Sequence, residues 1–134
     1  MGKVYLAEQA PLGRLCAIKV LNPSYNGSAE PEFHRRFFLE ASVTSKLSHP
    51  NTVTIFDFGQ SDEGLLYLAM ELLEGEMLSS RLKRVVSVDL ERAMEIAMGV
   101  LRSLDEAHAH KIIHRDLKPD NIFLAKVHGR PDEA

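Results

Sequence analysis

The sequence has one cysteine in 134 residues, no tryptophan and no strong charge of either sign. A lone Cys16 can neither close an internal disulfide nor build a cysteine cage for zinc, so neither kind of staple holds this chain. With 16 Lys and Arg against 19 Asp and Glu, the formal net charge is −3. That balance supplies no long-range attraction to nucleic acid or to an anionic membrane surface. No uninterrupted apolar run nears the roughly 18 residues that a membrane span needs, and the opening Met1-Gly2-Lys3-Val4-Tyr5 lacks the apolar core of a signal peptide. These absences point to a cytoplasmic location, no nucleic-acid partner and no membrane contact in this segment. What remains is ordinary: 45% hydrophobic and 26% charged residues, the composition of a globular protein rather than a disordered one.

The pattern of apolar residues changes midway. Val4 and Leu6 alternate with Tyr5 and Ala7, which predicts a strand over residues 3–9. The turn-forming Ala10-Pro11-Leu12-Gly13-Arg14 follows, and residues 15–21 resume alternation with Ala17, Lys19 and Leu21 on one face. After a polar loop over 22–29, Ser28 or Glu30 ahead of Pro31 marks a helix start. Phe33, Phe37, Ala41 and Thr44 carry the helical spacing to about Leu47, and Pro50 ends it. Strands are predicted over 52–58 and 65–71, with a turn over 59–64 between them. The first half is thus two hairpins around one helix. Beyond Leu73, Glu74-Gly75-Glu76 reads as a polar connection and residues 77–85 as a short helix. Ser87 is placed to cap a longer helix in which Leu90, Met94, Ala97, Leu101, Leu104 and His108 form a stripe. Ile96, Val100 and Ala107 widen that stripe, which predicts burial around much of the helix, with Met94, Met98 and His108, and Met77 ahead of them, in or near a core. A loop then leads to a short strand at Ile122-Phe123-Leu124.

The densest chemistry lies in that loop, His114-Arg115-Asp116-Leu117-Lys118-Pro119-Asp120-Asn121. A carboxylate able to accept a proton from a hydroxyl is followed two residues on by an ammonium that can balance a transferring phosphoryl group. An amide oxygen three residues further is a hard ligand for Mg²⁺. One such residue alone would be a solvated charge; eight in this order are more specific. The octet resembles the catalytic loop of protein kinases, and Lys118 resembles the serine/threonine branch rather than the tyrosine branch. The resemblance implies that Asp116 is the catalytic base, that Lys118 contacts the γ-phosphate and that Asn121 binds magnesium. Arg115 would pair with a phosphorylated activation loop.

Two further segments are similar to parts of the same family. Cys16-Ala17-Ile18-Lys19 resembles the Val-Ala-Ile-Lys strand, which implies that Lys19 pairs with the ATP phosphates and with a glutamate on the next helix, Glu40. His49-Pro50-Asn51 is like the connection that follows that helix. Leu68-Ala69-Met70-Glu71-Leu72-Leu73-Glu74-Gly75-Glu76 resembles the hinge between lobes. There Met70 would stand behind the adenine, the backbones of Glu71 and Leu73 would bond its edge, and Glu76 would reach the ribose. Val4 and Ala17 would cover the purine from one side and Phe123 from the other. Gly2-Lys3-Val4 is similar to the end of the glycine-rich phosphate loop, whose first two glycines are not in this sequence.

The fold implied is α+β, a protein-kinase-like fragment. It comprises a small-lobe fragment over 1–73, with an antiparallel sheet and one helix, and a large-lobe fragment over 74–134 through the catalytic loop. Asp57-Phe58-Gly59 has the letters of the magnesium-binding segment but precedes the catalytic loop, and it is read as a chance match. His108, His110 and His114 invite a metal reading, but the helix is expected to end before Ile112 and no acidic partner orients the rings. The expected parent activity is transfer of the γ-phosphate of ATP, with Mg²⁺, to serine or threonine hydroxyls of a protein. This segment alone is expected to have little or no activity and marginal stability. The alternatives are a non-catalytic kinase-like binding module or a gene remnant. A small-molecule phosphotransferase is a weaker third, because such enzymes show His-Gly-Asp at the loop.

Overall fold

The computed structural model describes residues 2–21, 31–85 and 87–126. The chain divides into two compact units, Met1–Leu72 and Leu73–Ala134. The loop over 22–29, both residues expected to start the first helix and the last eight positions lie outside the described residues.

In the first unit, β1 (Lys3–Gln9) and β2 (Arg14–Leu21) form an antiparallel hairpin, and β3 (Ile55–Gln60) and β4 (Leu66–Glu71) form a second. β2 pairs with β4, so the sheet runs β1-β2-β4-β3. The helix α1 (Pro31–Thr44) joins the hairpins in sequence and packs on β3, where the rings of Phe38 and Phe58 lie 6.3 Å apart. Phe37, Ala41, Leu47, Cys16 and the fully enclosed Leu66 form its core. α1 stops at Thr44 rather than Leu47 because its last turn tightens: Lys46 N–H bonds to Val43 O and Leu47 N–H to Thr44 O, three residues back. The third strand starts at Ile55 rather than Thr52, since Thr52 N–H is held in a turn by His49 O at 2.8 Å. Asp57-Phe58-Gly59 lies within β3, with Phe58 serving the α1 contact.

The second unit is built differently. β5 (Gly75–Met77), where a polar connection was expected, pairs antiparallel with β6 (Phe123–Ala125). Three residues without apolar alternation give no strand signal; the pairing comes from the partner. Gly75 has φ +144°, and a Cβ there would overlap the carbonyl oxygen of Leu124, so the two strands approach as closely as they do only because the residue is glycine. α2 (Leu78–Arg84) follows directly, and α3 (Leu90–Ala109) is capped by Asp89 rather than Ser87, its carboxylate accepting from Arg92 N–H at 2.9 Å.

Burial along α3 corrects the expected stripe. Ile96, Val100 and Ala107 turn inward, and an apolar cleft of about 430 Å³ runs beside Ile96 and Val100, lined also by Leu78, Leu82, Leu101 and Leu117. Leu90 and Met94 are 77% and 59% exposed, and Met98 and His108 also face out, while Leu101 lies on the open cleft. Apolar residues surround more of the helix than one packed side can use; among the described residues, the second unit covers only the side toward α2 and the 117–122 loop. Met77, at 41% exposed, is not a core residue either.

Candidate active site

The four-stranded sheet sorts the expected nucleotide residues by register. Residues directly opposite in antiparallel strands share a face. One row across the sheet is Leu6, Ala17, Met70 and Ile55, and the next is Val4, Lys19, Leu68 and Phe58. Val4, Ala17, Lys19 and Met70 therefore stand together on one face, with apolar neighbours beside a single ammonium. Val4 is 63% exposed, so its side of the sheet is open to a flat apolar partner. Gly2 precedes them where a Cβ would sit 2.6 Å from Val20 O, too close for any other residue.

Glu40 lies on the exposed side of α1, and Lys19 is also exposed. Among the described residues no ion pair joins the two. The helix meets the sheet through aromatic rings on β3, and nothing in that contact draws the glutamate to β2. Glu71 ends β4; its side chain accepts from Thr54 N–H at 2.6 Å, and its own N–H bonds to Thr54 O at 3.0 Å. The side chain and the N–H are thus spent on holding the segment that enters β3, which leaves the carbonyl as the part of Glu71 available to a ligand edge. Leu73 opens the second unit, half-buried.

In the second unit the sequence between α3 and β6 folds into a braced loop. Lys111 and Arg115 hold left-handed conformations, φ +62° and +61°, unusual for side chains with a Cβ. Arg115 lies immediately before Asp116, and the turn it makes exposes the Asp116 side chain, 65% accessible. Lys118 Nζ sits 3.2 Å from Asp116 Oδ2. Pro119–Asn121 forms a 3-10 turn, and from it Asn121 Nδ2 donates to Asp116 O at 2.8 Å and to Asp116 Oδ2 at 3.2 Å. The Lys118 ammonium, bonded to Asp116, holds that carboxyl below the usual carboxylate range; partial desolvation works against this, and the Asn121 bond and His114 add to the lowering. The three residues expected to carry the chemistry are thus in mutual contact, with the carboxylate ionised at neutral pH.

The imidazole of His114 is part of the same loop, its Nδ1 accepting from Asp116 N–H at 3.3 Å. His110 Nδ1 lies 3.0 Å from Glu106 O, a bond within its own helix end. Phe123 is on β6 opposite Met77, half-buried. Glu76 is engaged within its own unit: Oε1 and Oε2 are both bonded to Arg84 at 2.9 Å, and Arg81 Nε stands 2.8 Å from Oε1. The Arg84 bond, then the charges of Arg84 and Arg81, hold this carboxyl below its ordinary value despite some desolvation. Sequence reasoning missed the two arginines, although their spacing of three on a helix that follows an acid was a usable signal.

The chain is similar to known proteins over most of its length. The protein kinase domain family model matches residues 1–130. Serine/threonine-protein kinase PknA of Mycobacterium tuberculosis is 42% identical over 128 residues, which cover 92% of this chain and 29% of that protein. Serine/threonine-protein kinase pkn3 of Myxococcus xanthus is 38% identical over 132 residues, 98% of this chain and 24% of its own. PrkC of Bacillus subtilis is 39% identical over 92% of this chain and 19% of its own. The chain therefore spans less than a third of the length of these curated relatives. Among solved structures, the PknI kinase domain of M. tuberculosis superimposes with a TM-score of 0.81 at 33% identity, over 93% of this chain and 51% of that one. The chain belongs to the protein kinase family.

Proposed function

We propose that residues 1–73 and 74–134 are the small-lobe and large-lobe parts of a kinase that transfers the γ-phosphoryl group of ATP to serine or threonine hydroxyls of a protein. The observation that carries this reading is the Asp116–Lys118–Asn121 cluster, in which one carboxylate is held ionised by an ammonium and braced by an amide. The donor set suits Mg-ATP. Asn121 spends its NH₂ on Asp116, which leaves Oδ1 as a hard oxygen ligand for magnesium. The apolar row around Ala17 and Met70 suits a purine, and the Glu71 carbonyl suits its ring edge. Gly2 and Val4 belong to the phosphate loop, and Lys19 and Lys118 are the cations for phosphate. When bound, Mg-ATP supplies the phosphoryl group and the counter-charge for it.

The mechanism assigned to these side chains is one of positioning. Asp116, ionised at neutral pH, accepts a hydrogen bond from the substrate hydroxyl and aims its oxygen. It takes the proton as the bond to phosphorus forms. Lys118, already beside Asp116, balances the charge that develops on the transferred group. Glu40 is the residue for pairing with Lys19, a pairing kinases need for activity; in this structure it is not made.

The test is phosphate transfer from labelled ATP by the natural protein that carries these residues, with protein and aminoglycoside acceptors side by side. Label on serine or threonine of the protein acceptor is expected. Label on the aminoglycoside alone, or none, overturns the reading. The exposed apolar side of α3 favours a second one, a non-catalytic binding module; it requires a stable complex formed without phosphotransfer.

A further inference from the structure

We propose that Glu76 is a positioning residue for Asn121, clamping α2 to β5 so that the turn carrying Asn121 is held in place, and is not a ribose contact. The inference deepens the reading of Asn121 as the magnesium ligand and rests on it for its catalytic meaning, but its structural content stands apart. A carboxylate available to a ribose hydroxyl needs a free oxygen. Both oxygens of Glu76 are bonded to Arg84, one is also beside Arg81, and the side chain is only 23% exposed. A bidentate arginine pair joined by a second arginine is a fixed network rather than a loose surface pair.

What the network fixes is visible in the bonds on either side of it. Glu76 lies at the centre of β5, in register with Leu124 of β6. The pairing extends beyond the strands: Leu78 N–H, the first residue of α2, bonds to Ile122 O at 2.8 Å, and Lys126 N–H bonds to Glu74 O at 2.8 Å. Ile122 is the residue next to Asn121, and Asn121 N–H is itself held by Lys118 O at 2.9 Å. α2 also packs against the Pro119–Asn121 turn. Arg81 and Arg84 reach back from α2 to Glu76, so the angle between β5 and α2 is set by side chains rather than by a capping bond; Met77, at the N-cap, makes none. Releasing Glu76 frees α2 to move off β5, and the Ile122 carbonyl and the 119–121 turn move with it. The fold then persists, while the amide that faces Asp116 loses its fixed place.

The test compares amide hydrogen exchange in the chain and in Glu76→Gln and Arg84→Gln, with Arg92→Gln as the control that breaks an ion pair of similar length on α3. The expected result is exchange at least tenfold faster at Leu78 and Asn121 in both variants, with α3 and β2 unchanged, and no change at those two amides in the control. Unchanged exchange at Asn121, or equal acceleration throughout the second unit, overturns the proposal. If Glu76→Gln fails to fold, Arg84→Gln decides, since it leaves Arg81 on Glu76. In the phosphotransfer assay of the natural protein, Glu76→Gln is expected to lower kcat at least tenfold with KM for ATP within twofold. A raised KM with unchanged kcat places Glu76 on the ribose and overturns the proposal. Hydrogen exchange gives its answer whether or not the protein transfers phosphate, so absence of activity would count against the function alone.

Discussion

Asn121 reaches back across five residues to hold Asp116 twice, by its backbone oxygen and by its carboxylate. One side-chain nitrogen thereby closes a loop around Lys118 and decides which atom of the amide is left for a ligand. The expectations below follow from this loop and from the units that flank it.

Asp116→Asn removes the carboxylate to which acceptance of the substrate proton is assigned, while keeping its size and its backbone bond to Asn121. Phosphotransfer by the natural protein is expected to fall by about 10²–10⁴-fold, the usual worth of a general base. Lys19→Met, on the open face of the sheet, is expected to cost a similar factor with the far-UV circular dichroism unchanged. Near-normal turnover in either variant would remove the role assigned to it.

The pH dependence of the second unit follows from Glu76. Its folded-state pKa lies below the ordinary glutamate value, chiefly because Arg84 bonds the ionised form. The stabilisation is therefore complete above the unfolded-state value of about 4.3 and is lost as pH falls through the lower folded-state value. In Arg84→Gln the Glu76 titration, followed by carboxyl carbon NMR, should move upward. The acid limb of unfolding should begin at higher pH. An unmoved titration would show that Arg84 does not hold the carboxylate.

Gly75→Ala tests the closeness of β5 and β6. A side chain at φ +144° is strained, and its Cβ meets the Leu124 carbonyl. A loss of about 3 kcal/mol or more is expected from strain and clash together, read from urea unfolding of the second unit. A change below about 0.5 kcal/mol, the range of ordinary surface substitutions, would mean that the strands are not held so closely.

The outward side of α3 predicts solubility rather than stability. Leu90→Glu and Met94→Glu change residues that are 77% and 59% exposed, so unfolding should shift by less than about 0.5 kcal/mol while aggregation measured by light scattering falls. Val100→Asp, on the inward side, should instead unfold the second unit. Equal losses from all three would place the outward residues in a core.

Legibility differed between the two units for physical reasons. The strands of the first hairpin, and the face shared by Ala17 and Lys19, follow from period-two alternation, which a sheet imposes locally. The catalytic loop was legible because its chemistry is contiguous. β5 was not, since Gly75-Glu76-Met77 becomes a strand only through Leu124, 49 residues from Gly75. The capping role of Asp89 over Ser87 was a choice between two good caps that only the helix start decides. Burial on α3 was overstated because periodicity reveals which residues could be covered and not whether a neighbour covers them. The pairing of Glu76 with its arginines escaped notice because the resemblance supplied a ready role for the acid.

The irregularity in the sheet between Ile55 and Asp57 has a consequence for everything arranged on its face. A ladder of strict alternation can slide by a residue, and a slide here would carry Phe58 away from Phe38 and exchange the two sides of β3. Phe56 interrupts the ladder at that point, and the guanidinium of Arg14 lies 3.6 Å over its ring, anchoring the odd residue from the far hairpin. The bulge thus works as a key in a slot. With it engaged, one alignment of β3 on β4 is selected over its neighbours, and Met70 keeps its place opposite Ile55, beside the residue that is out of step.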